Sequence, residues 1–124
     1  YYGRLAIIDI NTGECTVINP EENPDLIDFW GSNLAWSPLG DKIAYYLRRQ
    51  YNETTHQFEF EGDLFLTKPD GSQKVRLTDD DFINTDPSWS PDGNWIVFSS
   101  DRDGDSSMDI WQMDQNGENI HKFL

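Results

Sequence analysis

The segment Trp36-Ser37-Pro38-Leu39-Gly40-Asp41-Lys42-Ile43-Ala44-Tyr45-Tyr46 recurs as Trp89-Ser90-Pro91-Asp92-Gly93-Asn94-Trp95-Ile96-Val97-Phe98-Ser99, 53 residues further on. No other feature restricts the fold as tightly. Pro38 and Pro91 preset φ for a tight turn, Gly40 and Gly93 can accept positive φ, and the β-branched and aromatic run that follows reads as a strand. A second half repeats as well. Asp63-Leu64-Phe65-Leu66-Thr67, with Asp70-Gly71 and Val75-Arg76-Leu77-Thr78, returns as Asp109-Ile110-Trp111-Gln112-Met113, with Asn116-Gly117 and His121-Lys122-Phe123-Leu124, at an offset of 46. The earlier unit is therefore seven residues longer than the later one. A third copy of this second half opens the chain as Leu5-Ala6-Ile7-Ile8-Asp9 with Asn11-Thr12-Gly13 and Cys15-Thr16-Val17-Ile18.

Self-similarity at this period is the mark of a repeat architecture. Each unit reads as four short strands separated by hairpin turns, and no helical stripe of useful length interrupts them. The expected fold class is all-β, a partial β-propeller of about two and a half four-stranded antiparallel blades. With the strands of a blade labelled a to d, residues 1–22 supply c and d of a first blade, 31–78 a second blade and 84–124 a third, within one domain. Trp36 and Trp89 are expected to fill the space between neighbouring blades.

Composition agrees with sheets. Seven Phe, 5 Tyr and 5 Trp make 14% of the chain aromatic, so burial rests on large rings and not on Leu-rich helix faces. Twenty-three acidic against 9 basic side chains give a net charge of -14, which argues against nucleic acid or anionic lipid as partner. No run approaches the ~20 apolar residues of a membrane span, so membrane insertion is not expected. The single Cys15 excludes an intrachain disulfide. A chain that starts at Tyr1, with no signal-type leader, is expected to be a processed product or a piece of something longer.

Three stretches carry a resemblance to a known family. Pro87-Ser88-Trp89-Ser90-Pro91-Asp92-Gly93, Phe98-Ser99-Ser100-Asp101-Arg102-Asp103-Gly104 and Asp109-Ile110-Trp111-Gln112-Met113-Asp114 are similar to the repeat of the TolB-type propeller, which also occurs in propellers of prolyl oligopeptidase-type peptidases. The resemblance runs from about Leu5 to Leu124. It implies a protein-interaction module in a periplasmic or exported setting. The second blade departs from the pattern: Leu39 stands where the motif has Asp, and a connection from Leu47 to Gly62 replaces the Ser-Asp-Arg-Asp-Gly turn. About six blades close a TolB-like propeller, so two and a half leave closure open.

In an antiparallel meander the a–b and c–d turns share one face, and the b–c and d–a connections share the other. The second face collects Glu21, Glu22, Asp25, Asp28, Asp79, Asp80, Asp81, Asp101, Asp103 and Asp105. This acidic rim reads either as a solvated surface or as a docking face for a basic protein partner or a cation. Asp101, Asp103 and Asp105 have the D-x-D-x-D spacing of a calcium loop, although Ser106 and Gln112 stand where an EF-hand requires Gly and a bidentate Glu. Calcium is accordingly the one cofactor considered, against a structural turn in which Asp side chains bond their own backbone. Within the long connection, Arg48, Arg49, Tyr51, His56 and Phe58 form an aromatic and locally basic stretch whose alternation extends the b–c hairpin. It reads as a partner-contact element or as a cover for the adjacent blade. Asn52-Glu53-Thr54 matches a glycosylation acceptor, a pattern frequent by chance.

No constellation supports catalysis: there is no G-x-S-x-G elbow, no zinc-spaced Cys/His cluster and no Gly-rich phosphate cradle. The expected function is a non-catalytic interaction module that binds other proteins through its loop rim. The alternatives are the propeller portion of a prolyl oligopeptidase-like serine peptidase and a calcium-dependent binding domain. Open blade faces and strand edges further predict homo-oligomers.

Overall fold

The computed structural model describes residues 5–18, 33–48, 54 and 62–124. Ten strands follow one another without a helix among the described residues: β1 (Leu5–Ile8), β2 (Cys15–Ile18), β3 (Leu34–Trp36), β4 (Ile43–Arg48), β5 (Gly62–Thr67), β6 (Val75–Arg76), β7 (Asn84–Trp89), β8 (Trp95–Ser100), β9 (Asp109–Asp114) and β10 (His121–Lys122). They form a two-stranded sheet, β1-β2, and two four-stranded antiparallel sheets, β3-β4-β5-β6 and β7-β8-β9-β10. Each sheet is a meander in which sequence neighbours pair. The partial propeller expected from the repeat is thus the fold, with β1 and β2 as strands c and d of a first blade.

The two W-S-P-x-G turns close identically. Gly40 N donates to Ser37 O and Gly93 N to Ser90 O, both at 2.9 Å, and both glycines sit at positive φ, +73° and +74°. Only glycine adopts that conformation without steric cost. In the regular turn Asp92 accepts from the Ser90 hydroxyl and from Asn94 N. Leu39 cannot do this, and Asp41 takes the Ser37 hydroxyl at 2.8 Å instead. Strands β4 and β5 also run further than the sequence boundaries, since Leu47 pairs with Asp63 and Arg48 with Gly62.

Two apolar layers lie between the sheets. Ile43, Tyr45, Leu47 and Phe65 meet Ile18 and Ile7 of the first blade. On the other side, Ala44, Leu64, Leu66 and Leu77 meet Ile96, Phe98 and Met113 of the third, with Trp89 and Trp111 at the margin. Alternation along each strand sends successive side chains to opposite layers. Every residue of β5 is buried because both its faces are covered, whereas β8, covered on one face, alternates.

The joint between second and third blades has polar and steric locks. Trp89 Nε1 donates to Ala35 O at 3.0 Å, and Lys42 Nζ to Gln115 Oε1 at 2.5 Å. A Cβ at Gly117 would fall 2.6 Å from Leu77 O, so the c–d turn of one blade rests directly on strand d of the blade before it. Gly71 repeats the relation against Ile18, at a looser 3.5 Å. Trp89 therefore fills an inter-blade space as expected. Trp36 is half exposed.

Candidate functional site: the loop rim

The rim is organised by three basic side chains that the charge count alone does not single out. Arg102, at the tip of the b–c turn of the third blade, points inward, its side chain only 11% exposed. Its guanidinium lies 5.1 Å from the ring centroids of Phe98 and Trp111 and 5.8 Å from that of Phe82. Cation–π attraction and a planar fork of donors suit arginine to this place. Nη2 pairs with Asp80 Oδ2 at 3.1 Å and donates to Asn84 Oδ1 at 2.8 Å, while Nε reaches the Ser100 hydroxyl at 3.2 Å. Desolvation pulls the guanidinium below its ordinary pKa, and the charges of Asp80 and Asp101 oppose that shift.

Asp80 is equally committed to the fold. Its Oδ1 accepts from Phe82 N at 3.2 Å and from Asn84 Nδ2 at 2.8 Å. Asp101 Oδ1 accepts from Ile83 N at 2.8 Å. The d–a connection from 79 to 83 and the b–c turn from 101 to 104 are therefore fastened to each other by side chains as well as by the strands they join.

The second and third blades carry a matching ion pair on the same rim. Arg76 Nη2 meets Asp63 Oδ2 at 2.6 Å and its Nη1 meets Asp79 Oδ1 at 2.8 Å. Forty-six residues later Lys122 meets Asp109 at 2.9 Å and also contacts Asp103. Hydrogen bonds to Asp103 and Asp109 push the Lys122 ammonium well above its ordinary pKa.

These contacts place the sequence candidates. Asp79, Asp80 and Asp103 each face a cation of the chain itself, and Asp81 is exposed. Asp105 caps its own turn, accepting from Ser107 N at 2.9 Å and the Ser107 hydroxyl at 2.6 Å. Asp101, Asp103 and Asp105 thus bond Ile83, Lys122 and Ser107 separately. No group of three or more His, Cys, Asp or Glu that could hold a metal ion occurs among the described residues. Arg49, Tyr51, His56 and Phe58 lie outside the described residues, as does the side chain of Arg48, together with Glu21, Glu22, Asp25 and Asp28. Sequence reasoning passed over Arg76, Arg102 and Lys122. A signal for two of them was present: the acid–base spacing of 13 residues, Asp63 to Arg76 and Asp109 to Lys122, recurs at the repeat offset.

Meander sheets stacked face to face, joined by an indole-to-carbonyl bond and bearing loops on one rim, define a segment of an antiparallel β-propeller. The particular family follows from comparison: the sequence model of the TolB beta propeller domain matches residues 4–123, and the chain belongs to that family. The Tol-Pal system protein TolB of Syntrophus aciditrophicus is 31% identical over 83 residues, which is 67% of this chain and 17% of that protein. YuxL of Bacillus subtilis, described as an uncharacterized peptidase, is 34% identical over 83 residues, 67% of this chain and 12% of that protein. Among solved structures, TolB from Acinetobacter baumannii superimposes with a TM-score of 0.66 at 21% identity, over 94% of this chain and 25% of that one. The chain thus spans between about an eighth and a quarter of the length of these relatives.

Proposed function

We propose that this chain is a non-catalytic docking segment of a TolB-like propeller, in a periplasmic or exported setting, that binds other proteins through its loop rim. The observation that carries this reading is the bond between Arg102 and Asp80, which fixes two rim loops in one arrangement before any partner arrives. Preorganisation lowers the ordering cost of binding. The contact face comprises Asp79, Asp80 and the exposed Asp81, together with Arg48, Arg49, Tyr51, His56 and Phe58 of the connection after strand b. Three of the rim carboxylates already face internal cations, so the partner is selected by shape and aromatic contact at least as much as by a basic surface. Membership of relatives in the Tol-Pal system makes an envelope protein the natural class of partner.

A photo-crosslinking residue placed at Asp81 or Phe58 is expected to join the chain to one discrete protein in a Gram-negative periplasmic extract. The same residue at Glu118, on the opposite face, is expected to give none. Equal labelling at all three positions refutes the rim as the docking face.

YuxL supports a second reading, a propeller that shapes access to a peptidase domain. A G-x-S-x-G elbow encoded in the same gene would favour it.

A further inference from the structure

Glycine directly follows an aspartate or an asparagine at Asp70-Gly71, Asp92-Gly93, Asp103-Gly104 and Asn116-Gly117. At each step the glycine N–H donates to the carbonyl three residues back: Gly71 to Lys68 at 2.8 Å, Gly93 to Ser90 and Gly104 to Asp101 at 2.9 Å, and Gly117 to Asp114 at 3.0 Å. The side chains before the glycines differ. Asp70 accepts from Ser72 N and the Ser72 hydroxyl, Asp92 from the Ser90 hydroxyl and from Asn94 N and Nδ2, and Asp103 pairs with Lys122. The exposed Asn116 amide has no hydrogen-bond partner among the described residues.

The main chain around Asn116 is held instead. Asp114 Oδ1 accepts from Asn116 N at 2.9 Å and from Glu118 N at 3.0 Å, and Oδ2 accepts from Asn119 Nδ2 at 2.6 Å. A side-chain amide that turns freely therefore stands one residue before a main-chain nitrogen of fixed position, with no Cβ to shield it. The same glycine is the tightest of the described ones. An added Cβ would lie 2.6 Å from Leu77 O and 3.2 Å from Leu77 Cα, whereas the nearest atom is 3.5 Å away at Gly71 and Gly93 and nothing lies within 4 Å at Gly104.

We infer that Asn116 is a site of spontaneous main-chain modification, and that its conversion to isoaspartate opens the joint between the second and third blades. The Gly117 nitrogen gives up its proton and attacks Asn116 Cγ. A C–N bond closes a five-membered succinimide, the Cγ–Nδ2 bond breaks, and ammonia leaves with that proton. Water then opens the ring. Attack at Cγ gives aspartate, and attack at the main-chain carbonyl gives isoaspartate, whose backbone runs through Cγ and is one methylene longer. Solvent is the only co-reactant. The extra methylene has to be accommodated where Gly117 rests on Leu77, and a contact of backbone on backbone has no flexible tip that could yield. Aspartate adds only a charge to an exposed turn on the face opposite the rim. The three aspartate steps are slower on two grounds, since a bonded carboxylate is both a poorer electrophile than an amide and less free to turn.

The test is to hold the purified chain at physiological temperature and mildly alkaline pH, sample it over weeks and map it by mass spectrometry. Isoaspartyl methyltransferase with labelled S-adenosylmethionine counts the isoaspartate. Asn116 is expected to convert at least about tenfold faster than Asp70, Asp92 or Asp103. The rate is expected to climb with pH, because the deprotonated nitrogen is the nucleophile. The isoaspartate form, separated by chromatography, is expected to melt at least about 3 °C below the parent chain. Its Trp89 indole proton, bonded to Ala35 O across the same joint, is expected to exchange faster. Asn116→Asp supplies the charge without the methylene and is expected to melt within about 1 °C of the parent. Asn116→Gln, which would have to close a less favourable six-membered ring, is expected to keep its melting temperature over the same weeks. Three results each overturn the inference: equal rates at the four steps, a parent chain that loses melting temperature no faster than Asn116→Gln, or an isoaspartate form that melts with Asn116→Asp.

Discussion

Trp89 and Ala35, 54 positions apart, are joined by an indole-to-carbonyl hydrogen bond of 3.0 Å that crosses from the third blade to the second. The bond couples a side chain of the W-S-P-x-G signature to the main chain of the neighbouring unit. The signature therefore acts between blades as well as within its own turn.

Replacing Trp89 by Phe removes the donor and part of the ring from the second joint. The expected loss is about 2 kcal/mol, combining one hydrogen bond with a partial cavity. Trp36→Phe, on a half-exposed ring, is expected to change stability by less than about 0.5 kcal/mol. Urea unfolding of the two variants side by side measures the difference, and equal losses would contradict the asymmetry between the two joints.

Gly117 is constrained twice, by φ of +80° and by Leu77 O, which an added Cβ would approach to 2.6 Å. Gly13 is constrained once, by φ of +73°, with nothing within 4 Å. Gly13→Ala is expected to cost about 1 kcal/mol and Gly117→Ala at least about 2 kcal/mol, because backbone cannot move aside as a side-chain tip can. Thermal denaturation of both variants tests the order.

Arg102→Met would leave Asp80 and Asn84 without their shared donor while keeping much of the volume between the rings. Loss of about 2 to 4 kcal/mol is expected, as for one partner removed from a largely buried pair. Arg102→Lys should recover little of it, since an ammonium cannot reach Asp80, Asn84 and the Ser100 hydroxyl together. Chemical denaturation gives the loss, and restored amide protection at Ile83 in Arg102→Lys would refute the role of the planar fork.

Aspartates that cap their own turns set the acid response. Hydrogen bonds hold Asp92 below the usual 3.8, first from the Ser90 hydroxyl and then from Asn94. Those from Ser107 do the same for Asp105, and those from Glu118 N and the Asn119 side chain for Asp114. A carboxylate whose folded pKa is depressed stabilises the fold above its unfolded value and ceases to do so as pH falls through the folded one. Stability is therefore expected to be level above the ordinary aspartate range and to decline below it. Asp92→Asn should lower stability at pH 7 and converge with the parent chain in acid. Melting temperatures across an acid series follow this, and a constant gap at every pH would exclude the mechanism.

How much of this is legible in the sequence depends on whether the physics is local. Turn chemistry and strand alternation depend on near neighbours, so Pro38, Gly40, Pro91 and Gly93 announce their hairpins, and blade boundaries follow from the repeat. The D-x-D-x-D run from Asp101 was legible only as two alternatives, a cation loop or a turn. The bonds from Ile83 N to Asp101 and from Lys122 to Asp103 come from 18 and 19 residues away and leave no trace in that local spacing. The rim likewise looked like accumulated negative charge because a linear count cannot see that Arg76, Arg102 and Lys122 fold back onto it.

By itself the sequence determined the blade: its four-strand meander, its turns and its place in a TolB-like propeller, because each rests on a short motif that repeats. Only the tertiary structure decided that Trp89 gives its indole proton to Ala35 O and that Arg102 turns inward onto Asp80. Those partners stand 54 and 22 positions away, and packing between distant segments alone brings them within reach.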